Sequence, residues 1–120
     1  MATGNAGDPT QLHLNQLREP VRTAAWWLVW AARSAGYPVI ITSSRRSLAE
    51  QRALLAQGRT KTLKSKHLDG LAFDIDWYRT SRDDVPTAFW DLIGPWAERE
   101  LGLRWGGRFS SIYDPGHFEA

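Results

Sequence analysis

The stretch SKHLDGLAFDID, residues 65–76, decides the fold of this 120-residue chain. In its second half, large apolar side chains alternate with small or acidic ones, which is the pattern of a β-strand with one buried face. The apolar face holds Leu71, Phe73 and Ile75, and the opposite face holds Ala72, Asp74 and Asp76. We therefore predict a strand that carries two carboxylates on its second face, preceded by a loop that carries His67.

A second stretch, YDPGHFEA at residues 113–120, is typical of a turn followed by a short closing strand. If this strand pairs beside the first, the side chains of His67, Asp74 and His117 converge on one point. Two imidazoles and one carboxylate, with a position left for water, are the composition of a catalytic zinc site, whereas structural zinc prefers four ligands that usually include cysteine. Two histidines and an aspartate occur in most domains, so this set alone indicates a metal only weakly.

Length and composition fit one compact domain with a modest core, since 42% of the residues are hydrophobic and 23% are charged. The chain has no cysteine, so a metal must be bound by imidazole and carboxylate groups. We expect most of the seven tryptophans to fill the core. An open aromatic groove for a peptide or sugar is the less favoured alternative.

The net charge of +2 gives a mild attraction to anionic partners but does not choose among nucleic acid, membrane surface and cell-wall polymer. The basic residues are scattered without a reader motif, so we expect no nucleic-acid binding. The N-terminal residues lack the pattern of a secretory signal, so we expect a cytoplasmic chain. The longest apolar stretch, residues 24–32, is too short to span a bilayer and predicts a buried helix without stable membrane insertion.

Caps and periodicity predict the remaining elements, after a flexible lead-in at residues 1–10 and within a single domain at residues 11–120. The first half of the chain should hold a helix with Pro20 in its first turn that runs to about Ala35, a strand at 39–42, and a helix that starts at the capping box of Ser47 and Glu50 and ends by Gly58. A basic loop follows at 59–66. The C-terminal part should hold a helix after Pro86 that is kinked or broken at Gly94-Pro95, a turn at 105–107 and a strand at 116–119.

Three blocks of sequence give a more specific signal. The motif Ser65-x-His67-x-x-Gly70-x-Ala72-x-Asp74, followed after Trp-Gly-Gly by Asp114-x-x-His117-Phe-Glu119, resembles the zinc peptidoglycan peptidases. These comprise D-Ala-D-Ala carboxypeptidases and dipeptidases together with L-Ala-D-Glu endopeptidases. The similarity extends to residues 42–51 and covers roughly residues 20–120. In that block Ser44 and Arg45 replace the Gly-Tyr pair that is common in the family.

The resemblance implies a role for each matching residue. His67, Asp74 and His117 would bind Zn²⁺, and Asp114 would be the catalytic carboxylate. Arg46 would engage a substrate carboxylate or stabilise the oxyanion, and Ser65 would brace the loop or donate a hydrogen bond to substrate. From the residues alone, Asp114 is equally an ordinary turn aspartate and Arg46 a solvated charge. Gln51 is expected to be structural, and Asp76 and Glu119 either orient the ligand histidines or are solvated; the role of His13 stays open.

The resemblance also implies an α+β fold, hedgehog/D-Ala-D-Ala peptidase-like, with helices packed on a small and mostly antiparallel sheet that carries the zinc site. It implies a monomeric zinc metallopeptidase that acts on the peptide stem of peptidoglycan. A small domain without a signal peptide is similar to phage or prophage endolysins, which wait in the cytoplasm until a holin opens the membrane to the cell wall. L-Ala-D-Glu endopeptidase is then the leading activity. The alternatives are a D,D-carboxypeptidase that removes the terminal D-Ala, and a non-catalytic wall-binding module.

Overall fold

A computed structural model describes residues 7–60 and 64–120 of the chain. The helices are α1 (Thr10–Gln16), α2 (Val21–Ser34), α3 (Leu48–Ala56) and α4 (Thr87–Leu101). The strands are β1 (Val39–Ser43), β2 (Ala72–Trp77), β3 (Arg104–Trp105) and β4 (His117–Glu119). Short 3₁₀ turns lie at Lys66–Asp69, Arg82–Asp84 and Gly106–Arg108. No helix in these two described ranges is long and apolar enough to cross a membrane.

The four strands form one sheet in the order β1-β2-β4-β3, and every neighbouring pair is antiparallel. The α+β class and the antiparallel sheet are therefore confirmed. In the β2–β4 register, Phe73 lies opposite Phe118 and Asp74 lies opposite His117. Because side chains alternate along a strand, the two phenylalanines face the helices and the two polar residues share the other face.

The core lies between the apolar face of the sheet and the helices α1, α2 and α4. Phe73 and Ile75 are fully buried there, as the alternation of the first stretch predicts, and Phe118 of β4 is fully buried beside them. The rings of Phe73 and Phe118 are stacked with centroids 5.6 Å apart. Burying one such side chain contributes about 1.5–3 kcal/mol, so this pair holds the two central strands together.

The expectation that most tryptophans fill the core, and that residues 24–32 form a buried helix, is wrong for one face of α2. Trp26, Trp27 and Trp30 are each about half exposed, at 47%, 47% and 52%. The core face of the same helix buries Ala25, Leu28, Val29 and Ala32. These smaller side chains of the core face make the contact with the rest of the core. The three indoles therefore point outward and pack against one another. Trp90 and Trp105 are the tryptophans that are fully in the core.

The predicted helix that ends near Ala35 is confirmed as α2, with Pro20 as its N-cap residue and Gly36 at φ 94° just beyond its end. The apolar pattern before Pro20 forms the separate helix α1. Of the predicted lead-in, residues 1–6 lie outside the described chain. Within the rest of it, Asp8 pairs with Arg33 at 2.9 Å, so this part is attached to α2.

The capping box is confirmed, since the Ser47 hydroxyl accepts from the Glu50 amide and the Glu50 carboxylate accepts from the Ser47 amide. Helix α3 ends at Ala56, two residues before Gly58, which has a φ of 72°. The predicted basic loop at 59–66 is described except for residues 61–63, and its last residue already begins the 3₁₀ turn that carries His67.

The predicted break at Gly94-Pro95 is wrong, because α4 runs without interruption through both residues, and a kink within the continuous helix stays a prediction. Gly94 instead allows close packing of Trp105 against the helix. A Cβ atom at this position would stand 2.2 Å from ring atoms of Trp105, so the indole rests directly on the helix backbone. The indole nitrogen of Trp105 donates to the Pro115 carbonyl at 2.8 Å, which fixes the segment that leads to β4.

Replacing Gly94 by alanine tests this packing. Alanine favours a helix by about 1 kcal/mol, but the clash with Trp105 forces the ring to move at a cost of about 1–3 kcal/mol, and we expect a net loss of stability. Urea denaturation of Gly94→Ala measures it. Gly102→Ala is the matched control, since its Cβ would meet no atom within 4 Å and only the strain at φ 67° acts there. A Gly94→Ala protein as stable as the wild type would contradict the packing role.

Candidate metal centre and active-site cleft

The sheet register and one turn bring the three candidate ligands together. Asp74 on β2 and His117 on β4 are direct cross-strand neighbours on the face away from the core. His67 comes from the 3₁₀ turn before β2, where the Ser65 hydroxyl accepts from the His67 amide at 3.2 Å. Gly70 ends that turn in the left-handed conformation, at φ 70°, which a residue with a side chain adopts only under strain. The loop-bracing contact expected of Ser65 is thus present.

The ligand atoms of the three residues lie within 4.8 Å of one another. Nε2 of His67 is 3.3 Å from Oδ2 of Asp74 and 3.3 Å from Nδ1 of His117. Nδ1 of His117 is 3.0 Å from Oδ1 of Asp74. His67 and His117 are buried, and the Asp74 side chain is 15% exposed. Two imidazole nitrogens and a carboxylate oxygen at these separations could hold one metal ion.

The outer nitrogen of each imidazole has a hydrogen-bond acceptor of its own. Nδ1 of His67 donates to the Ser44 carbonyl at 2.5 Å, and Nε2 of His117 donates to Oε1 of Glu119 at 2.7 Å. These contacts direct the remaining nitrogens, Nε2 of His67 and Nδ1 of His117, toward each other and toward Asp74. Outer acceptors of this kind fix the tautomer and orientation of metal-binding histidines. The donor set therefore fits a zinc ion.

The two carboxylates left open by the sequence differ in their contacts. Glu119 contacts His117, and its second oxygen accepts from Nη1 of Arg104 at 3.0 Å. Asp76 contacts neither histidine and instead accepts from Arg82 at 3.2 Å and 3.3 Å. Of the two, only Glu119 is in a position to orient a ligand.

Ser44 is a residue of the site whose contribution the sequence did not reveal. It is 1% exposed, and its hydroxyl donates to Oε1 of Gln16 at 2.7 Å. Because the one hydroxyl hydrogen is used there, Nδ1 of His13 donates to the same oxygen, also at 2.7 Å. His13 thus helps to fix the Ser44 side chain. Helix α1 holds Ser44, and the Ser44 carbonyl holds His67.

The two adjacent arginines differ in their exposure and in their contacts. The Arg45 side chain is exposed, whereas the Arg46 side chain is 15% exposed and faces the metal-ligand cluster. Nη1 of Arg46 donates to Oε1 of the fully buried Gln51 at 2.7 Å, and Nη2 lies 3.8 Å from Oδ2 of Asp74. The structural role expected of Gln51 is consistent with this contact.

Asp114 lies in the turn just before β4, where its carbonyl accepts from the His117 amide at 3.1 Å. Its carboxylate accepts from Nη1 of Arg82 at 2.9 Å. Burial raises the pKa of Asp114, and the negative charge of Asp74 raises it further, against the opposing effect of His117 and Arg82. Asp114 therefore lies beside the ligand cluster without belonging to it.

The titration of the cluster is set by its internal hydrogen bonds. Burial opposes the charge of Asp74, but hydrogen bonds from His117 and His67 outweigh burial and hold the pKa of Asp74 well below its ordinary range. Burial alone would lower the pKa of His117, but its bonds to Asp74 and Glu119 raise it to about 9. Without metal, the cluster is thus an ion pair of carboxylate and imidazolium at neutral pH.

These residues line one open cleft of about 1400 Å³. Asp74, His67 and His117 share it with Asp114 and Arg46. Further cations line the same cleft, namely Arg59, Lys64, Lys66, Arg82, Arg104 and Arg108. A cleft of this size and charge suits an extended ligand that carries carboxylates.

The metal-free protein should lose stability as the pH rises from 6.5 to 9. The pKa of His117 is about 9 in the fold against the ordinary histidine value of 6.5, so its stabilisation is complete below pH 6.5 and disappears as the pH passes 9. We expect a loss of about 1–3 kcal/mol, measured by urea denaturation with a chelator present. His117→Gln should remove this dependence. His13→Gln should keep it, because burial lowers the pKa of His13 and moves its titration below the window. An unchanged slope in His117→Gln would contradict the assignment.

Comparison with known proteins finds relatives of this chain by sequence and by fold. The chain is similar to the L-alanyl-D-glutamate peptidase of Listeria phage A118, with 28% identity in a 117-residue alignment that covers 89% of this chain and 39% of the phage protein. The chain thus spans about two fifths of the length of this curated relative.

Solved structures show the same fold. The L-Ala D-Glu endopeptidase ChiX of Serratia marcescens superposes with a TM-score of 0.67 and 24% identity, over 92% of this chain and 84% of that protein. The vancomycin-resistance D,D-pentapeptidase VanY, solved as a mutant in complex with Zn(II), gives a TM-score of 0.63 and 18% identity, over 86% and 71% of the two chains.

The family match falls on the part of the chain that builds the site. The D-alanyl-D-alanine carboxypeptidase family matches residues 58–120, which contain His67, Asp74, Asp114 and His117. The chain belongs to this family.

Proposed function

We propose that this protein is a zinc-dependent peptidase that hydrolyses the peptide stem of bacterial peptidoglycan, most specifically the L-Ala-D-Glu bond. The observation that carries the proposal is one cleft in which His67, Asp74 and His117 converge and which Asp114 and Arg46 also line. Three ligands leave a metal open to a water molecule, a separate carboxylate can exchange a proton, and an arginine can bind a substrate carboxylate or an oxyanion.

His67, Asp74 and His117 would hold the zinc ion, and the fit rests on their donor set and on the outer acceptors that fix both imidazoles. The D,D-pentapeptidase of the same fold that was solved with Zn(II) supports this choice of metal. A zinc ion bound there would supply a water of lowered pKa and would polarise the scissile carbonyl.

Asp114 is the general base and acid in this proposal. Its carboxylate takes one proton from the attacking water, whose oxygen forms the new bond to the carbonyl carbon. The carbon–nitrogen bond then breaks, and the proton passes from Asp114 to the leaving amine. A raised pKa suits this exchange, because the group must both accept and return the proton near neutral pH.

Arg46 holds the substrate by a carboxylate or stabilises the oxyanion. Nη1 of Arg46 donates to Gln51, and Nη2 lies 3.8 Å from Oδ2 of Asp74 in the same cleft. A permanently charged planar fork is suited to either task. Ser65 lines the same cleft, so a hydrogen bond from it to substrate stays part of the proposal beside its bracing of the loop.

Two relatives favour the L-Ala-D-Glu bond over the terminal D-Ala bond. Both the phage protein and the Serratia enzyme are named for that bond. The cleft of about 1400 Å³ also exceeds the ~300–1,000 Å³ of ordinary small-ligand sites, which favours a chain that extends on both sides of the cut. Removal of terminal D-Ala by a D,D-carboxypeptidase is the second candidate, since the family takes its name from that reaction. A non-catalytic wall-binding module would not need Asp114 beside an intact ligand set.

The phage relative supports a place for the protein in host lysis. On this proposal the monomeric enzyme collects in the host cytoplasm and reaches the peptidoglycan once a holin has opened the membrane. Neither nucleic acid nor insertion into the membrane has a part in it.

Purified protein with zinc should release new amino termini from peptidoglycan, and a chelator should stop the release. Asp114→Asn should retain zinc but lose activity by about 10²–10⁴-fold, because it can no longer exchange the proton. Mass spectrometry of the products separates the two bonds, since loss of a single alanine differs from release of the stem after L-Ala. Asp69→Asn, an exposed carboxylate on the turn of His67, is the matched control and should stay fully active. No new amino termini from the wild type would refute the proposed function.

The neighbouring arginines provide a second test. Arg46→Lys should lower kcat/KM by about 10–100-fold, because a single ammonium cannot reproduce the two-sided contact with Gln51 and the cleft. Arg45→Lys changes an exposed side chain and should remain within about twofold of the wild type. Steady-state kinetics on a purified stem peptide measures both. Equal losses in the two variants would argue against a specific role for Arg46.

A further inference from the structure

Arg82 belongs to none of the sequence motifs quoted above, yet its side chain contacts Asp114. It begins the 3₁₀ turn Arg82–Asp84 that follows β2, and its side chain is 34% exposed. Nη1 donates to Oδ1 of Asp114 at 2.9 Å. The guanidinium group thus bridges the strand that carries Asp74 and the turn that carries Asp114.

The strand side of this bridge holds the guanidinium group at three points. Nε and Nη2 donate to the two carboxylate oxygens of Asp76 at 3.2 Å and 3.3 Å, and Nη2 also donates to the Ile75 carbonyl at 3.3 Å. A planar fork fixed by two oxygens of one carboxylate cannot rotate freely. Nη1 of Arg82 therefore points toward Asp114 in one defined direction.

The turn side is shaped to accept the same group. A Cβ atom on Gly116 would lie 2.6 Å from Nη2 of Arg82 and 2.7 Å from the Ile75 carbonyl oxygen. The Ile75 amide donates to the Gly116 carbonyl at 2.9 Å, so the backbones are already joined there. Only a residue without a side chain leaves room for the guanidinium group between the strand and the turn.

Asp114 depends on this contact for its orientation. Among residues 7–60 and 64–120, Arg82 is the one group that donates a hydrogen bond to the Asp114 carboxylate. Asp74 stands close enough to repel it, and burial also disfavours its charge. Without Arg82, the Asp114 carboxylate would have no fixed rotamer beside the three candidate metal ligands.

We propose that Arg82 is the positioning residue for Asp114, holding Oδ1 so that Oδ2 faces the attacking water and receives its proton. The proposal rests on the proposed hydrolytic function and assigns to it a residue that no motif marks. Asp76 is part of the same device, because it sets the direction of the guanidinium group.

The test compares Arg82→Gln, Arg82→Lys and Arg82→Ala with the wild-type holoenzyme on a stem peptide. Arg82→Gln should lower kcat by about 10²-fold with KM changed by less than about threefold, since a displaced base slows chemistry and leaves substrate binding intact. Arg82→Lys should recover about tenfold of that loss, because an ammonium group reaches one carboxylate but not both. Methylguanidinium added to Arg82→Ala should restore kcat by at least about fivefold and should leave Asp114→Asn unchanged.

Two further measurements separate positioning from a structural role. Zinc affinity, measured by competition with a coloured chelator, should stay within about threefold of the wild type in Arg82→Gln, because Arg82 contacts none of the three ligand side chains. Asp76→Asn should lower kcat in the same direction, and the double variant with Arg82→Gln should be no slower than Arg82→Gln alone. Arg79→Gln, on the same connection but placed over Tyr78, is the matched control and should retain wild-type kinetics.

An Arg82→Gln protein with wild-type kcat overturns the proposal, and so does a raised KM with unchanged kcat, which would assign Arg82 to substrate binding. Loss of zinc together with loss of kcat, without rescue by methylguanidinium, also overturns it. If the wild type itself releases no product, the proposed function fails and the role of Arg82 fails with it. An active wild type with an equally active Arg82→Gln refutes only the positioning role.

Discussion

The pairing of Asp74 with His117 across β2 and β4 is the constraint on which the rest of the structure depends. Their neighbours in the register, Phe73 and Phe118, stack on the opposite face and close the core. One register thus fulfils two requirements, an apolar face for the helices and a polar face for the ligand cluster. A slip by one residue would bury the carboxylate and expose a phenylalanine, so the energy that selects the core also selects the site.

Two hydrogen-bond chains tie the cluster to other elements of the fold, and a third ties the neighbouring Asp114 to β2. His67 is linked through the Ser44 carbonyl to helix α1, and His117 is linked through Glu119 to Arg104 on β3. Asp114 is linked through Arg82 back to β2. A buried polar group without a hydrogen-bond partner costs free energy. In each chain, every buried polar group is bonded to the next, and the series ends at a backbone group or at a side chain in contact with solvent. Helix α1 and strand β3 therefore help to position the two histidines without contributing a candidate ligand themselves.

The sequence predicted the features that depend on local pattern. Alternation gave the two faces of β2, the capping box gave the start of α3, and the motif spacing singled out His67, Asp74 and His117, which the fold brings together. Features that depend on distant residues were missed. Gly94 and Pro95 predicted a break because nothing local shows that Trp105 needs the space of a missing side chain. Arg82 and Ser44 were missed for the same reason, since their partners lie on other elements. The exposed face of α2 was missed because composition does not say which side of an apolar helix the sheet covers.

The site also shows how one residue type can serve two purposes. Asp74 and Asp114 are both aspartates beside the same histidines, yet their environments move their pKa values in opposite directions. Two imidazoles keep the Asp74 carboxyl ionised, which suits a permanent ligand, whereas burial and the charge of Asp74 itself make Asp114 easier to protonate, which suits a group that exchanges a proton. Spacing in the chain singled out both residues, but only the surroundings of each carboxylate distinguish them. In the metal-free protein, the charge of Asp74 is itself one of the causes that raise the pKa of Asp114.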